Sequence, residues 1–193
     1  MRIHDEIIRK GIHFLAVIIP VAYIFLPKQT MLLVTGSMMI VAFLIEGLRQ
    51  RNMCFNQWFN RKVGHLLRLH EKSRITGATY LITGCFFSLL FFDKWIAQLT
   101  LLFVIISDGF SALVSRLYGW KTWFGDKTVL GAFVFLLTGV AVVFIFFEPY
   151  CLIGIAGALT ALIVELSFKR LNDNLAIPIF SGLIMQILFR LSG

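Results

Sequence analysis

The sequence contains little charge, and this scarcity limits the classes of protein that it can encode. Charged residues occupy only 15% of the 193 positions, whereas hydrophobic residues occupy 59%, and the mean hydropathy is +0.86. A water-soluble domain of this size needs far more polar surface. Apolar runs of about 17 to 25 residues, long enough to cross a bilayer, recur along the whole chain. The composition therefore predicts a polytopic membrane protein without a separate soluble domain.

Cysteine is scarce as well. Cys54, Cys85 and Cys151 are scattered and have neither metal-site spacing nor a disulfide framework, so we expect three free thiols. The first residues include acidic side chains, and no cleavage site follows the first apolar run, so we expect no signal peptide. The basic residues lie close to the predicted membrane segments and form no separate module, which argues against nucleic-acid binding.

Seven apolar segments predict an all-α bundle of about seven transmembrane helices, roughly at 10–27, 30–48, 76–92, 95–114, 128–147, 149–168 and 172–191. All of the 18 lysines and arginines except Lys28, Lys94 and Arg190 fall on the side of the N-terminus. Because positive charge marks the cytoplasmic side, the N-terminus and the loop at about 49–75 are expected in the cytoplasm. Residues 1–193 are expected to form one integral membrane domain, in a bacterial or archaeal plasma membrane or an ER-type membrane.

The long predicted loop is basic and carries apolar side chains. Its charge suits attraction to anionic lipid headgroups. Its apolar residues would allow part of it to lie in the membrane interface as an amphipathic helix: Trp58, Phe59, Leu66, Leu67 and Leu69.

Ionisable side chains inside apolar segments need an explanation, because an aspartate at mid-bilayer costs about 2.5–3.5 kcal/mol on insertion scales. Asp108 interrupts the apolar run "WIAQLTLLFVIISDGFSALV". Other polar residues are predicted at the same, cytoplasmic face of the membrane: Glu6, Arg9, Lys10, His13, Glu46, Lys127, Thr128, Glu165, Asp173 and Asn174. We expect residues from most of the helices to converge there in one polar layer.

Each of these residues also has a purely structural interpretation. Arg9 and Lys10 could be positive anchors on the cytoplasmic side of the membrane, and His13 could be a packing residue. Glu46 could be an ordinary charge at a helix end, and Asp108 could form an ion pair with Arg116 or Arg170. Asp173 and Asn174 could cap a helix.

The polar layer has the chemistry of a metal–phosphate site. Clustered carboxylate and amide oxygens hold Mg²⁺, which recruits phosphate oxygens and water as further ligands, and nearby lysines and arginines suit a di- or triphosphate. The stretch "FGDKT" places Thr128 at the N-cap of a membrane helix, whose free N–H groups favour an anion. It is not a Walker A loop, because Asp126 separates Gly125 from Lys127.

Five segments resemble, in the same order, the CTP-dependent lipid kinases, a family that includes dolichol kinase, phytol kinase, farnesol kinase and the yeast-type diacylglycerol kinase. These segments are "EIIRKGIHF", "RITGATYLITG", "SDGFSALVSRLYG", "GDKTVLGAF" and "NDNLAIPIFSG". They are similar to E-x-x-R-K-x-x-H, T-G-A-T-Y, D-x-x-A-x-x-x-G-x-x-x-G, K-[ST]-x-E-G-[ST] and D-N-x-x-[IV]-P. The chain departs from these patterns at Ser115, Leu130 and Ala132, where Gly, Glu and Ser or Thr are usual, and Leu130 removes one acidic group.

The resemblance implies transfer of the γ-phosphoryl group of CTP, or of another nucleotide such as ATP, to a membrane lipid alcohol, with Mg²⁺ as cofactor. The acceptor would be a polyprenol or dolichol, a phytol-like isoprenoid or diacylglycerol. The residues expected to take part in catalysis are Asp108, Lys127, Glu6, His13 and Glu165. Those expected to contact the nucleotide are Arg9, Lys10, Thr128, Gly125 and Lys121, and those expected to bind metal are Asp108, Asp173, Asn174 and Asp126.

Two other functions remain open from the sequence. A cytidylyltransferase similar to CDP-diacylglycerol synthase would use CTP on a lipid phosphate and release pyrophosphate. A membrane transporter would use the acids as an ion site, although the broken helices typical of transporters are not apparent. The sequence does not identify the lipid, the nucleotide donor or the general base. A homo-oligomer also remains open.

Overall fold

The computed structural model describes residues 3–118, 122–124, 127–167 and 171–192, and most of these residues are helical. The helices are α1 Ile3–Leu15, α2 Ile18–Phe25, α3 Lys28–Arg51, α4 Met53–Val63, α5 Gly77–Phe91, α6 Lys94–Leu102, α7 Asp108–Tyr118, α8 Val129–Phe146, α9 Cys151–Ser167 and α10 Asp173–Ser192. The other described elements are two 3₁₀ turns, Leu69–Lys72 and Glu148–Tyr150, one π-helical turn, Phe103–Ser107, and two short strands, β1 Thr122–Phe124 and β2 Lys127–Thr128.

The helical, membrane-type architecture predicted from the composition is confirmed. Five described helical stretches are long and apolar enough to cross a membrane: His4–Phe25, Lys28–Arg51, Lys94–Tyr118, Val129–Phe146 and Asp173–Ser192. Helices α5 and α9 are apolar but shorter, with 15 and 17 residues. The count of seven crossings and the cytoplasmic location of the N-terminus therefore stay predictions.

The structure differs from the predicted segments at two places. The first apolar segment begins near Ile3 rather than residue 10, and a turn at Ala16–Val17 separates α1 from α2. Before α8, the chain forms an antiparallel hairpin in which Thr122 pairs with Thr128, so the fold contains a small element of sheet.

The long loop contains the helix α4, as the sequence predicted, whereas the location of this helix in the membrane interface stays a prediction. Asn52 begins it, since the Asn52 side chain accepts a hydrogen bond of 3.0 Å from the Phe55 N–H group and thereby caps the first turn. The helix ends at Val63, so three of the leucines assigned to it lie beyond its end. Only Trp58 and Phe59 of the predicted apolar set belong to α4.

The helix Lys94–Tyr118, which joins α6 and α7, lies at the centre of the bundle. It contacts α1, α2, α5, α8 and α10. Within its most apolar stretch 72% of the residues are buried, against 17% to 33% for the other four long helices. The side chain of Asp108 is therefore enclosed by protein rather than by lipid, which reduces the cost of placing a carboxylate in this helix.

Small residues bring α10 close to two of its neighbours. A Cβ atom added at Gly84 of α5 would lie 2.5 Å from the Asn174 carbonyl oxygen, and one added at Gly157 of α9 would lie 2.3 Å from Met185 Sδ. Both distances are too short for any larger residue. Glycine at these positions allows the close helix contacts that stabilise membrane bundles through van der Waals packing.

The outer faces of the bundle are apolar, as expected for a surface that contacts lipid tails. Phe25, Leu33 and Leu152 are each more than 70% exposed. The three cysteines are free, as the sequence predicted, and Cys85 is buried whereas Cys54 is exposed on α4.

Candidate functional site

The central helix contains one turn of π-helix immediately before its aspartate. Phe103–Ser107 form this turn, and Asp108 is the next residue. Turns of this kind are rare in proteins, and those that occur are often found at functional sites. They interrupt the regular hydrogen-bond pattern of the α-helix. The Val104 carbonyl accepts a hydrogen bond of 2.9 Å from His13 Nε2 on α1. This contact gives His13 the packing role that the sequence left open, and it holds α1 against the π turn.

Asp108 forms a buried ion pair with Lys10. The Lys10 Nζ atom lies 2.7 Å from Asp108 Oδ2, and it also approaches the Asp108 carbonyl oxygen at 3.4 Å. Removal of one member of such a pair leaves a buried charge without compensation, at a cost of about 3–5 kcal/mol. The sequence had suggested Arg116 or Arg170 as the partner. The partner in the structure is Lys10, because α1 packs against α7; Arg170 lies outside the described residues.

Lys127 links two further acids. Its Nζ atom lies 2.8 Å from Asp173 Oδ2, at the start of α10, and 3.2 Å from Glu165 Oε1, near the end of α9. Burial opposes the charge of Lys127, but the carboxylates of Glu165, Asp173 and Asp108 outweigh this effect and hold its pKa above the ordinary value. The ammonium group is therefore positively charged at physiological pH.

Three hydroxyl groups surround the start of α8. Thr128 caps this helix as predicted, since its Oγ1 atom accepts a hydrogen bond of 3.0 Å from the Gly131 N–H group. Ser115 Oγ lies 2.8 Å from Thr128 Oγ1, and Ser111 Oγ donates to Glu165 Oε1 at 3.2 Å. A Cβ atom at Gly131 would displace the Ser115 hydroxyl group and disturb its contact with Thr128, so glycine at this position leaves room for the three hydroxyl groups. Ser115, one of the departures from the family pattern, thus contributes to the site's hydrogen bonding.

The structure therefore brings together five of the predicted residues. They come from four helices and β2, and they are Lys10, Asp108, Lys127, Glu165 and Asp173. The cluster holds one more carboxylate than ammonium groups. Among the described residues, no three His, Cys, Asp or Glu side chains form a metal site by themselves. The anionic groups of the charged cluster are all carboxylates, so their donor atoms are oxygens. Oxygen donors suit a hard cation such as Mg²⁺, which also takes ligands from phosphate.

The remaining predicted residues take other places. Glu6 and Arg9 form an ion pair with each other, one turn apart on α1. Asn174 donates from Nδ2 to the Gly77 carbonyl oxygen at 2.8 Å, which ties α10 to the start of α5. The N-cap position of α10 belongs to Asn172, whose Oδ1 accepts from the Asn174 N–H group at 3.1 Å, and not to Asp173 or Asn174. Three further predicted residues lie outside the described residues: Lys121, Gly125 and Asp126.

Sequence reasoning missed a second polar cluster, at the start of α5. Glu46 is buried there, so its interpretation as a simple helix-end charge is wrong. Glu46 Oε1 accepts hydrogen bonds from the Thr76 N–H group at 2.9 Å and from Thr79 Oγ1 at 3.2 Å. Its Oε2 atom lies 2.8 Å from an Arg49 Nη2 atom. The motif "TGATY" marks the start of α5 in the sequence, but only the fold shows that a carboxylate of α3 accepts hydrogen bonds from this helix start.

An apolar groove lies on the side of α10 that faces α5. Its volume is about 310 Å³, and its lining residues are Phe87, Phe91, Leu171, Leu175, Ala176, Ile179 and Phe180. Leu171 and Leu175, two of the lining residues, lie two positions before and two positions after Asp173 in the sequence. The wall of the groove and the charged cluster therefore share the start of α10.

Comparisons with known proteins give a distant relation. No family model matches the chain, and no solved structure is significantly similar to it. It is 28% identical over 182 residues to an uncharacterized protein of Rickettsia prowazekii, covering 89% of this chain and 88% of that protein. It is 23% identical over 208 residues to CTP-dependent diacylglycerol kinase 1 of Saccharomyces cerevisiae, covering 94% of this chain and 67% of the yeast protein. The chain is thus a helical, membrane-type protein with distant similarity to a CTP-dependent lipid kinase.

Proposed function

We propose that this protein transfers the γ-phosphoryl group of CTP, or of another nucleoside triphosphate, to the hydroxyl group of a membrane lipid alcohol. The observation that carries this proposal is the position of Lys127. Its ammonium group lies between Glu165 and Asp173, directly before a membrane helix, and acts electrostatically on the buried Asp108 carboxylate. The distant similarity to the yeast kinase supports the reaction class and the choice of CTP.

Phosphoryl transfer depends on positioning and on charge neutralisation more than on a strong base. Lys127 suits the phosphate chain, because its side chain is 31% exposed while the Glu165 side chain beneath it is only 3% exposed. The capped N-terminus of α8, at Thr128, offers further N–H groups to an anion. These groups would stabilise the negative charge on the phosphate oxygens in the transition state.

Glu165 is placed to accept the proton of the lipid hydroxyl. Its Oε1 atom is held by Ser111 and Lys127, whereas its Oε2 atom is buried without a hydrogen-bond partner among the described residues. During transfer the lipid oxygen forms a bond to the γ-phosphorus, and the bond from that phosphorus to the bridging oxygen of the β-phosphate breaks. The hydroxyl proton passes to Glu165, and CDP leaves when CTP is the donor.

Asp108 and Asp173 are the residues that would hold Mg²⁺. Bound there, the ion would neutralise charge on the β- and γ-phosphate oxygens. The excess of carboxylates over ammonium groups fits a cation, and the phosphates would supply the ligands that the described side chains lack.

The acceptor is proposed to reach the site from the bilayer. The groove between α5 and α10 is apolar, and its lining residues Leu171 and Leu175 lie on either side of Asp173 in the sequence, so it suits the hydrocarbon chain of the lipid. Its walls contain only hydrophobic side chains, which select for chain shape rather than for polar groups. We place the reaction at the cytoplasmic face, where the excess of Lys and Arg predicts that the polar layer lies.

The test is to incubate the purified protein in detergent micelles with Mg²⁺, γ-labelled CTP or ATP and a panel of lipid alcohols. The panel should include a polyprenol, phytol and diacylglycerol. We expect the γ-label on one class of lipid and none with a Lys127→Met variant. Transfer of an α-label to a lipid phosphate, with release of pyrophosphate, would instead show a cytidylyltransferase. If no nucleotide label reaches any lipid, the proposed function is wrong.

A further inference from the structure

Arg68 is a cation near the site that neither the sequence motifs nor the proposed mechanism uses. It lies in the segment between α4 and α5, and its side chain is exposed. Within the part of the chain that the structure describes, its guanidinium group has no ion pair or hydrogen bond. An arginine that lies beside a charged cluster and forms no hydrogen bond or ion pair with the described residues is available for a ligand.

The backbone of Arg68 is fixed in place by a buried carboxylate. Glu71 Oε2 accepts a hydrogen bond of 2.9 Å from the Arg68 N–H group, and Glu71 Oε1 accepts one of 3.1 Å from the Gly77 N–H group. Glu71 is only 3% exposed. A buried carboxylate that accepts from two backbone groups joins them firmly, because leaving either group without a partner is costly. Arg68 is therefore attached to the first residue of α5.

The same residue of α5 is attached to α10. The Gly77 carbonyl oxygen accepts the 2.8 Å hydrogen bond from Asn174, which follows Asp173. A Cβ atom at Gly77 would lie 3.0 Å from Glu71 Oε1 and 3.2 Å from Asn174 Nδ2, so little free space remains at this junction. Three hydrogen bonds thus connect the backbone of Arg68 to the residue next to Asp173.

The charge of Arg68 reaches two sides of the site. Its guanidinium group acts electrostatically on Asp173 of α10 and on Glu6 of α1. Together with the hydrogen bonds that connect its backbone to Asn174, this means that Arg68 adds positive charge next to the charged cluster. Arg9, the arginine of α1 that the sequence predicts to contact the nucleotide, is already paired with Glu6.

We propose that Arg68 binds the phosphate chain of the nucleotide, as a cation supplied by the segment between α4 and α5. This inference rests on the proposed function. The charged cluster contains three carboxylates and two ammonium groups, so an incoming triphosphate would meet a net negative site. The Arg68 guanidinium group, which forms no hydrogen bond or ion pair with a described residue, offsets that repulsion, and its planar fork of N–H groups fits two phosphate oxygens at once.

The experiment compares the wild type with Arg68→Gln and Arg68→Lys in the full chain, purified in detergent micelles. Arg61→Gln is the matched control, because it removes the same charge from the exposed surface of α4. Two quantities are measured: the KM values for the nucleotide and for the lipid, and the Kd for inorganic triphosphate in the presence of Mg²⁺. Thermal melting establishes that each variant is folded.

For Arg68→Gln we expect both the nucleotide KM and the triphosphate Kd to rise about 10- to 100-fold, the range for loss of hydrogen bonds to a charged group. The lipid KM should not change, Arg68→Lys should recover part of the loss, and Arg61→Gln should behave as the wild type. If both values for Arg68→Gln stay within about twofold of the wild type, the assignment of Arg68 is wrong while the kinase proposal stands.

The same measurements can also support the role of Arg68 while they overturn the kinase proposal. If the wild type transfers no phosphate but binds triphosphate, and Arg68→Gln weakens that binding, the phosphate role of Arg68 is supported and the kinase proposal is wrong. If the wild type binds no triphosphate and transfers no phosphate, both proposals are overturned.

Discussion

The Lys10 ammonium group lies 2.7 Å from the Asp108 carboxylate, and both side chains are buried where α1 packs on the central helix. This contact joins the first helix of the chain to the first residue after the π turn. It also means that Asp108 contributes to the fold as well as to the proposed chemistry. The two contributions can be separated only by changing both residues.

The first prediction concerns Asp108→Asn. From the sequence alone, a catalytic Asp108 predicts a variant that folds normally, and a structural ion-pair partner predicts a variant that loses stability. The Lys10 contact favours a loss of stability in either case, since the variant leaves a buried ammonium without a carboxylate. We expect a loss of stability of about 3–5 kcal/mol together with loss of kinase activity, measured as melting temperature and turnover on one preparation.

The control is the double variant Lys10→Met/Asp108→Asn. Replacement of both charges by groups of similar size is often neutral for stability, so the melting temperature should return towards that of the wild type. Activity should remain lost if Asp108 binds metal-nucleotide. A double variant that is both stable and active would show that Asp108 has only a structural role.

The second prediction concerns Lys127. Lys127→Met removes the cation between Glu165 and Asp173 and leaves the two carboxylates facing each other. We expect kcat/KM to fall by about 100-fold or more, the range found when one preorganised donor to a developing charge is lost. Lys127→Arg keeps the charge and should retain part of the activity. Unchanged kinetics in Lys127→Met would remove this residue from the site.

The pH dependence of the Lys127 contribution follows from its raised pKa. A group whose pKa is raised on folding stabilises the folded state fully below its unfolded value, here 10.5, and loses that effect only as the pH rises through the folded value. Glu165 and Asp173 face a cation both in the wild type and in Lys127→Arg, so the difference in melting temperature between these two proteins should stay constant from about pH 7 to about pH 9. A difference that changes over this range would contradict the ion-pair geometry.

The third prediction concerns Glu46, in the second polar cluster. Glu46→Ala removes the acceptor for the Thr76 N–H group and leaves Arg49 buried without its carboxylate. We expect a loss of about 3–5 kcal/mol in stability, seen as a lower melting temperature. Glu46→Gln keeps the shape and one acceptor atom and should lose less. Equal melting temperatures for the wild type and Glu46→Ala would show that the cluster does not hold α5 in place.

The fourth prediction concerns the groove between α5 and α10. Ile179→Trp fills part of its volume and should raise the KM for the lipid while leaving the KM for the nucleotide unchanged. Leu183→Trp is the matched control, because Leu183 also lies on α10 but is 47% exposed and does not line the groove. Equal effects of the two substitutions would mean that the lipid chain binds elsewhere.

The fifth prediction tests the topology. Cys54 is exposed on α4 and should react with a membrane-impermeant maleimide only from the cytoplasmic side. In a Cys54→Ser background, a cysteine introduced at Ser192 should react only from the opposite side. Labelling of both positions from the same side would contradict seven crossings and the clustering of the polar residues at one face.

The sequence determined the class of the protein and many of the residues of the site. Continuous apolar runs can satisfy their backbone groups within lipid only as helices, so composition and run length predicted the helical bundle. Charges inside or at the ends of such runs are costly, and for this reason the sequence indicates Asp108, Lys127, Glu165 and Asp173 as candidate site residues, which the structure brings together.

The tertiary structure decided which charges meet. Sequence separation carries no information about partners: Lys10 and Asp108 are 98 positions apart, and they pair because α1 packs on α7. In the same way, a carboxylate of α3 caps α5, and Glu71 attaches Arg68 to it. These contacts depend on how the helices pack side by side, which a pattern of hydrophobic and polar residues along one helix leaves undetermined.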